Sequence, residues 1–253
     1  MHSIDLNCDM GESGSLYAYD MEKDIALMQY LSSVNLACGY HAGDAHTMHR
    51  LVETAMDKRI AIGAHPSFPD RENFGRTNMM LSSSEVYDIV LYQLGALHAF
   101  VKVKGGVIHH VKPHGALYNM AAKNRELADA ICKAIADFDE KLILYGLAGS
   151  ELITAANAIG LTSASEIFSD RTYQDDGTLT SRTMPNALIE DEQLAIKQVL
   201  QIVKTGMVKT LGGNNISRKA ETICIHGDGK HALEFARNIH TVLVENGINI
   251  KPV

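Results

Sequence analysis

Residues 34–44 read VNLACGYHAGD, and AHTMHRLVETAMDKR follows at once over 45–59. The small apolar residues from Val34 suit a buried strand, and the second stretch suits an amphipathic helix. Between them stand His41 and Asp44, set among Gly39 and Gly43. Glycines there free the backbone to adopt unusual dihedrals and to approach a ligand closely. A strand that stops on a histidine and a carboxylate and turns into a helix predicts a βα unit whose loop carries chemistry.

The pattern repeats along the chain. Strand-like runs occur as IDLNCD (4–9), VNLACG (34–39), IAIGAH (60–65), VIHHVKPH (107–114), KLILYG (141–146), LTSASEIF (161–168) and TICIHGD (222–228). Helical stretches lie between them, among them 84–103, 126–138, 192–203 and 231–246. In the last, Leu233, Ala236, Ile239, His240 and Leu243 share one face. Alternating strands and helices predict an α/β fold on a parallel sheet.

The strand ends decide between an open and a closed sheet. Polar groups recur there as Asp9, His41, His65, His114, Glu166, and His226 with Asp228. A closed barrel gathers every strand end around one mouth, whereas an open sheet joins only the strands beside its switch point. The barrel is therefore expected, with about seven βα units, one fewer than the usual eight. No linker or internal repeat divides the chain, so 1–253 reads as a single domain. Asp5, Asn7 and Asp9 alternate onto one strand face, as do His110, Lys112 and His114. Such stacking suits a hydrated or substrate-facing lumen.

The 253 residues are 46% hydrophobic and 21% charged, enough for a sizeable core. A net charge of −7 argues against nucleic acid or an anionic membrane as the main partner, though a local anion site remains compatible. MHSIDLNCDMGE has no basic region ahead of a long apolar segment, and no stretch reads as apolar enough to span a bilayer. A cytoplasmic protein is expected. Cys8, Cys38, Cys132 and Cys224 form no C-x-x-C pair, so small buried thiols are expected in place of a zinc-thiolate or disulfide framework. No standard nucleotide loop, dinucleotide fingerprint or serine-hydrolase elbow occurs.

Asp44 reads either as the N-cap of the following helix or as a site group. His41 has no such local task and is expected to line the site, while His46 and His49 fall on the helix as surface groups. In GAHPSFPDRENFGR (63–76), His65 ends an apolar strand and two prolines stiffen the loop. Asp70 and Arg71 suit a solvated turn or the site, and Arg76 is a candidate anion contact. HVKPHGALYN (110–119) carries the densest chemistry. Lys112 offers a fixed charge for a phosphate or carboxylate, His114 a titratable base, and Tyr118 and Asn119 neutral hydrogen-bonding groups.

Glu166 reads as a general base, a metal ligand, or the partner of Arg171 in a structural ion pair. His226 and Asp228, beside Gly227 and Gly229, suit a phosphate ahead of a helix N-terminus. The expected catalytic set is Asp9, His41, His65, Lys112, His114 and Glu166. The expected substrate- or phosphate-binding set is Asn7, Asp44, Arg76, Tyr118, Asn119, Arg171, His226 and Asp228.

Taken in order, DLNCDMGE, NLACGYHAGD, GAHPSFPD, HVKPHGALYN, EIFSDRTYQDDGTL and TICIHGDG resemble the successive motifs of the LamB/YcsF family, whose members are described as A subunits of ATP-dependent 5-oxoprolinases. The resemblance runs from about Ile4 to Gly247. It departs locally, in GSLYAYDMEK after Glu12 and at Asn186, where a glycine is usual. It implies a seven-stranded β/α barrel of the glycoside hydrolase/deacetylase type, in agreement with the count of units. It also implies ATP-coupled opening of 5-oxo-L-proline to L-glutamate, with ATP and Mg2+ as co-substrate and subunits B and C as partners. Two alternatives stand beside it: a non-catalytic substrate-binding or regulatory subunit, and a metal-dependent amidohydrolase or deacetylase that needs no ATP. Asp9, His41 and His114 are ligand types that suit zinc, yet histidine serves equally as a proton carrier. No tightly bound transition metal is expected.

Overall fold

The computed structural model describes residues 3–14, 19–227 and 231–253. Its strands in chain order are β1 (Ser3–Met10), β2 (Ser33–Ala37), β3 (Ala61–His65), β4 (His110–Val111), β5 (Ile143–Leu147), β6 (Ser163–Phe168), β7 (Met207–Lys209), β8 (Asn215–Ser217), β9 (Thr222–Ile225) and β10 (Asn249–Ile250). Strands β1 to β6 and β9 run parallel around a closed ring, sealed where β1 pairs with β9 as well as β2. The seven-stranded barrel is thus as expected. β10 pairs with the start of β1, and β7 and β8 form a separate antiparallel hairpin.

Helices α1 (Met21–Leu27), α2 (Ala45–Asp57), α3 (Ser83–Val103), α4 (Gly115–Ala121), α5 (Arg125–Phe138), α6 (Glu151–Ile159), α7 (Glu192–Thr205) and α8 (Ala232–Glu245) complete the described residues. In α3, Val86, Val90, Leu94, Leu97 and Val101 form one buried stripe, and a Ser82–Glu85 capping box starts the helix. By length and composition α3 could cross a membrane, contrary to the sequence expectation, but here its apolar stripe is buried in the protein core. The stripe of α8 is Ala232, Ala236, Ile239 and Leu243, as expected at its last three members, while Leu233 is 38% exposed and Ala232 takes its place.

β4 is shorter than VIHHVKPH, and on its C-terminal side Pro113 has no N–H for the ladder. The chain still follows β3, with Lys112 N donating to Ala64 O and His114 N to Pro66 O. That keeps two functional side chains in register with the barrel mouth.

The lumen is packed with polar groups that satisfy one another. Asp5 accepts from Ser32, Ser33 and Thr222, and burial pushes its carboxyl up despite those bonds. Asn7 donates to Glu166 and Thr222, and Asn35 donates to Asn7 and Asp9. His110 bonds Asn35 and stacks on Tyr145 with ring centroids 3.9 Å apart. Gly63 on the neighbouring strand leaves the space that the His110 ring fills. All four cysteines are buried and free.

Candidate active site

A cleft at the C-terminal ends of the barrel strands is lined by Asp9, Glu12, His65, Arg76, Lys112, His114, Tyr118, Asn119, Phe168, Arg171, Arg182 and His226. Strands and their first loop residues carry most of these, while Tyr118 and Asn119 come from the helix after β4 and Arg76 and Arg182 from longer loops. Asn7, His41 and Glu166 are buried directly behind this lining.

Lys112 is the centre of the floor. Its side chain is 2% exposed, and its ammonium lies 2.9 Å from Asp9 Oδ1 and 2.9 Å from Glu166 Oε1. It also reaches Asn7 Oδ1 at 3.3 Å and Cys224 Sγ at 3.0 Å. Burial alone would push this ammonium down, but Asp9 and Glu166 hold it well above the usual lysine range, so it stays charged. Glu166 in turn accepts from Tyr118 at 2.7 Å and from Asn7 at 3.0 Å. The carboxylate is saturated by neighbours and holds the lysine in place. For Asp9, burial is outweighed by His65 and Lys112, and the carboxyl lies well below its usual range.

Beside the lysine lies a histidine cluster. His41 and His114 stack with centroids 3.8 Å apart and planes 5° from parallel. His65 Nε2 is 2.9 Å from His114 Nδ1 and 3.4 Å from Asp9 Oδ2. Glu12 Oε1 sits 3.2 Å from His41 Nε2 and 3.2 Å from His114 Nδ1. Burial pushes the His41 ring down to about 3 and the His114 ring below its ordinary value. His65 goes the other way: burial opposes its charge, but Asp9 raises it. Gly75, at φ 65°, passes so close that a Cβ there would meet His41 Cβ at 2.8 Å and His114 Cδ2 at 2.9 Å.

The rim is cationic. Arg76 lies over Phe74 at 4.9 Å. Arg182 donates to His226 Nε2 at 2.9 Å, and His226 Nδ1 lies 2.7 Å from Asp170. Arg171 is buried, its guanidinium held by the carbonyls of Ala187 and Thr180, and burial pulls it down to about 10. Asn119 donates to Gly115 O and faces the cleft edge.

Several expectations are revised. Glu166 pairs with Lys112 and not with Arg171. Asp44 serves as the N-cap of α2, accepting from Thr47 N at 2.9 Å, and does not line the cleft. Asp70 is 9% exposed and accepts from Asn73 and Thr77, while the exposed Arg71 braces the carbonyls of Gly39 and Gly43; neither lines the cleft. His46 and His49 are exposed on α2. Asp228 lies outside the described residues. Two charged cleft residues, Glu12 and Arg182, and the apolar Phe168 escaped the sequence reading. Glu12 carried a usable signal: it follows Gly11, at φ 72°, just past a strand end, the same setting that drew attention to Asp44. Arg182 sits in a long loop after β6 with no such mark.

The sequence model of the LamB/YcsF family matches residues 4–253. The chain is 57% identical over 251 residues to a protein of Bacillus cereus (strain B4264) named as the A subunit of 5-oxoprolinase, covering 99% of this chain and 98% of that one. A protein of the same name from Tolumonas auensis is 53% identical, with 99% of each covered. The crystal structure of a lactam utilization protein from Thermus thermophilus superposes with a TM-score of 0.90 at 41% identity, over 99% of this chain and 100% of that one. A family 4 carbohydrate esterase from Streptomyces lividans shares the fold alone, with a TM-score of 0.52 and 14% identity over 98% of this chain and 91% of that one. This chain belongs to the LamB/YcsF family.

Proposed function

We propose that this chain is the A subunit of an ATP-dependent 5-oxoprolinase, opening 5-oxo-L-proline to L-glutamate in a cytoplasmic complex with B and C subunits, with ATP and Mg2+ as co-substrate. The observation that carries the reading is 57% identity, across 99% of the chain, to a protein of that name. The cleft chemistry agrees with it. A five-membered lactam is a stabilised amide that recloses readily, so its carbonyl gains from activation. Transfer of the γ-phosphoryl group of ATP to the carbonyl oxygen gives an imidate-like phosphate. Water adds to the activated carbon, and the C–N bond breaks as the nitrogen takes a proton. A second water then hydrolyses the remaining acyl phosphate to glutamate and phosphate.

Lys112 supplies a permanent charge in a desolvated floor, where it stabilises negative charge that develops on oxygen. Asp9 and His114, which line the cleft, are placed to take the proton from water. Glu166 and Tyr118 fix the lysine and the cleft wall. Arg76 and Arg182 at the rim suit the substrate carboxylate or a phosphate.

The test is a complex reconstituted from this chain with its B and C subunits, following glutamate and ADP together. Glutamate formation that requires ATP is expected. Glutamate formation without nucleotide, or none from the assembled complex, would sink the reading. One observation favours a second reading, a metal-dependent amidohydrolase: the convergence of Glu12 with three histidines. It requires that the chain alone, given metal and no ATP, release glutamate.

A further inference from the structure

The loops and strand ends after β1, β2, β3 and β4 deliver Glu12, His41, His65 and His114 to one point, where a donor atom from each lies within 4.8 Å of the others. The far side of two rings is already assigned. His65 Nδ1 lies 2.7 Å from the carbonyl of Lys112, and His114 Nε2 lies 2.9 Å from the carbonyl of Phe74. A carbonyl only accepts, so those two nitrogens carry the protons. In neutral rings, His65 Nε2 and His114 Nδ1 therefore turn lone pairs toward each other at 2.9 Å. Two lone pairs at that distance repel unless a cation lies between them.

A shared proton joins two acceptors, whereas four donor atoms converge here. Glu12 Oε1 lies 3.2 Å from His114 Nδ1, 3.8 Å from His65 Nε2 and 3.2 Å from His41 Nε2. A tetrahedral ion with ligands at about 2.0–2.1 Å holds them roughly 3.3 Å apart. The observed separations fall on both sides of that value. His41 is fully buried, its Nδ1 has no hydrogen-bond partner among the described residues, and its Nε2 faces the same Glu12 oxygen that the other two rings approach. The local charge agrees, since Asp9, Glu12 and Glu166 face the single ammonium of Lys112, an excess that a divalent cation balances. Carbonyls behind two imidazoles also match the outer shell that orients metal-binding histidines.

We propose that Glu12, His41, His65 and His114 bind one divalent transition-metal ion of the zinc, iron or cobalt class. Magnesium and calcium prefer oxygen ligands and fit three imidazoles poorly. This reverses the expectation from sequence, which weighed Asp9, His41 and His114 without Glu12. When bound, such an ion supplies Lewis acidity at the cleft floor. The inference stands apart from the 5-oxoprolinase reading, because its test reads binding and not turnover.

The full chain, freed of metal by chelation and dialysis, is titrated with Co2+ and with Zn2+. Uptake is followed by elemental analysis, visible absorption and thermal melting. About one ion per chain is expected, with the absorption of four- or five-coordinate cobalt and a raised melting temperature. His65→Ala and His114→Ala should each weaken binding by more than the roughly 10–100-fold that loss of an outer-shell partner costs. His41→Ala should weaken it likewise, and His46→Ala with His49→Ala, on the exposed face of α2, not at all. Should the histidine variants fail to fold, Glu12→Gln, whose side chain is 21% exposed, carries the same comparison. A wild-type chain that takes up no more metal than the His65→Ala, His114→Ala or Glu12→Gln chain, or shows only hydrated cobalt, overturns the proposal.

Discussion

At the residue scale, Lys112 shows how a single side chain acquires its role from position. A lysine two residues from a histidine is unremarkable in sequence, yet here it is buried against Asp9 and Glu166. Lys112→Ala and His114→Ala in the reconstituted complex are each expected to lower turnover by roughly 10² or more. Melting curves taken on the same samples separate a lost role from a lost fold, and near-normal turnover in both would remove this segment from the mechanism. Asp24 offers a pH test away from the cleft. Its carboxyl accepts from Gly11 N at 2.8 Å and from Tyr19, and burial pushes it up to about 6. A raised carboxyl means that ionisation costs more in the folded than in the unfolded chain. Stability from this group therefore falls as pH rises from about 4 to about 6, by on the order of 2 kcal/mol. Asp24→Asn should be relatively more stable against wild type at pH 7.5 than at pH 4.5. A difference in melting temperature that does not change with pH would contradict this. The residues legible in sequence were those ending apolar runs, such as His65 and Glu166. Glu12 and Arg182 lie in loops, and only packing shows where a loop side chain goes.

At the scale of elements, the seven barrel strands were legible because apolar runs mark them, and most helices because their stripes do, whereas the two- and three-residue β7, β8 and β10 were too short to read. The exceptions have local causes. α1, α4 and α6 are only seven, seven and nine residues long, too short for a periodic stripe to stand out. The stripe of α8 is as expected at Ala236, Ile239 and Leu243 and differs at its start, where Ala232 is buried in place of Leu233. Two substitutions test element packing. In β3, Gly63→Ala would place a methyl where the His110 ring lies, so several kcal/mol of destabilisation, or failure to fold, is expected from thermal melts. In α3, Leu97→Ala removes a side chain with no exposed surface and should cost about 2–5 kcal/mol in chemical denaturation. A cost under about 1 kcal/mol would show that the helix–barrel contact repacks freely.

At the scale of the whole molecule, closure is what matters. β1 pairs with β2, β9 and β10, and it supplies Asp5, Asn7 and Asp9 to the interior. A chain lacking residues 1–10 leaves β2 and β9 with open edges and strands the partners of those polar groups. It is expected to give no compact monomer by gel filtration and no near-ultraviolet dichroism. A folded, monodisperse product would mean that the remaining six strands can form a stable open sheet.

Local signals in the chain were enough for the class of fold, the count of barrel strands and the family, because periodicity, strand-terminal polar residues and ordered motifs all survive without a third dimension. They also marked most of the residues that surround the cleft. The pairings came only with folding: Glu166 with Lys112 and not Arg171, Asp44 as a cap, and Glu12 among three histidines. A side chain's partner depends on which strands become neighbours. His65 and His114 lie 49 positions apart in the chain and 2.9 Å apart in space, a distance that no local pattern encodes.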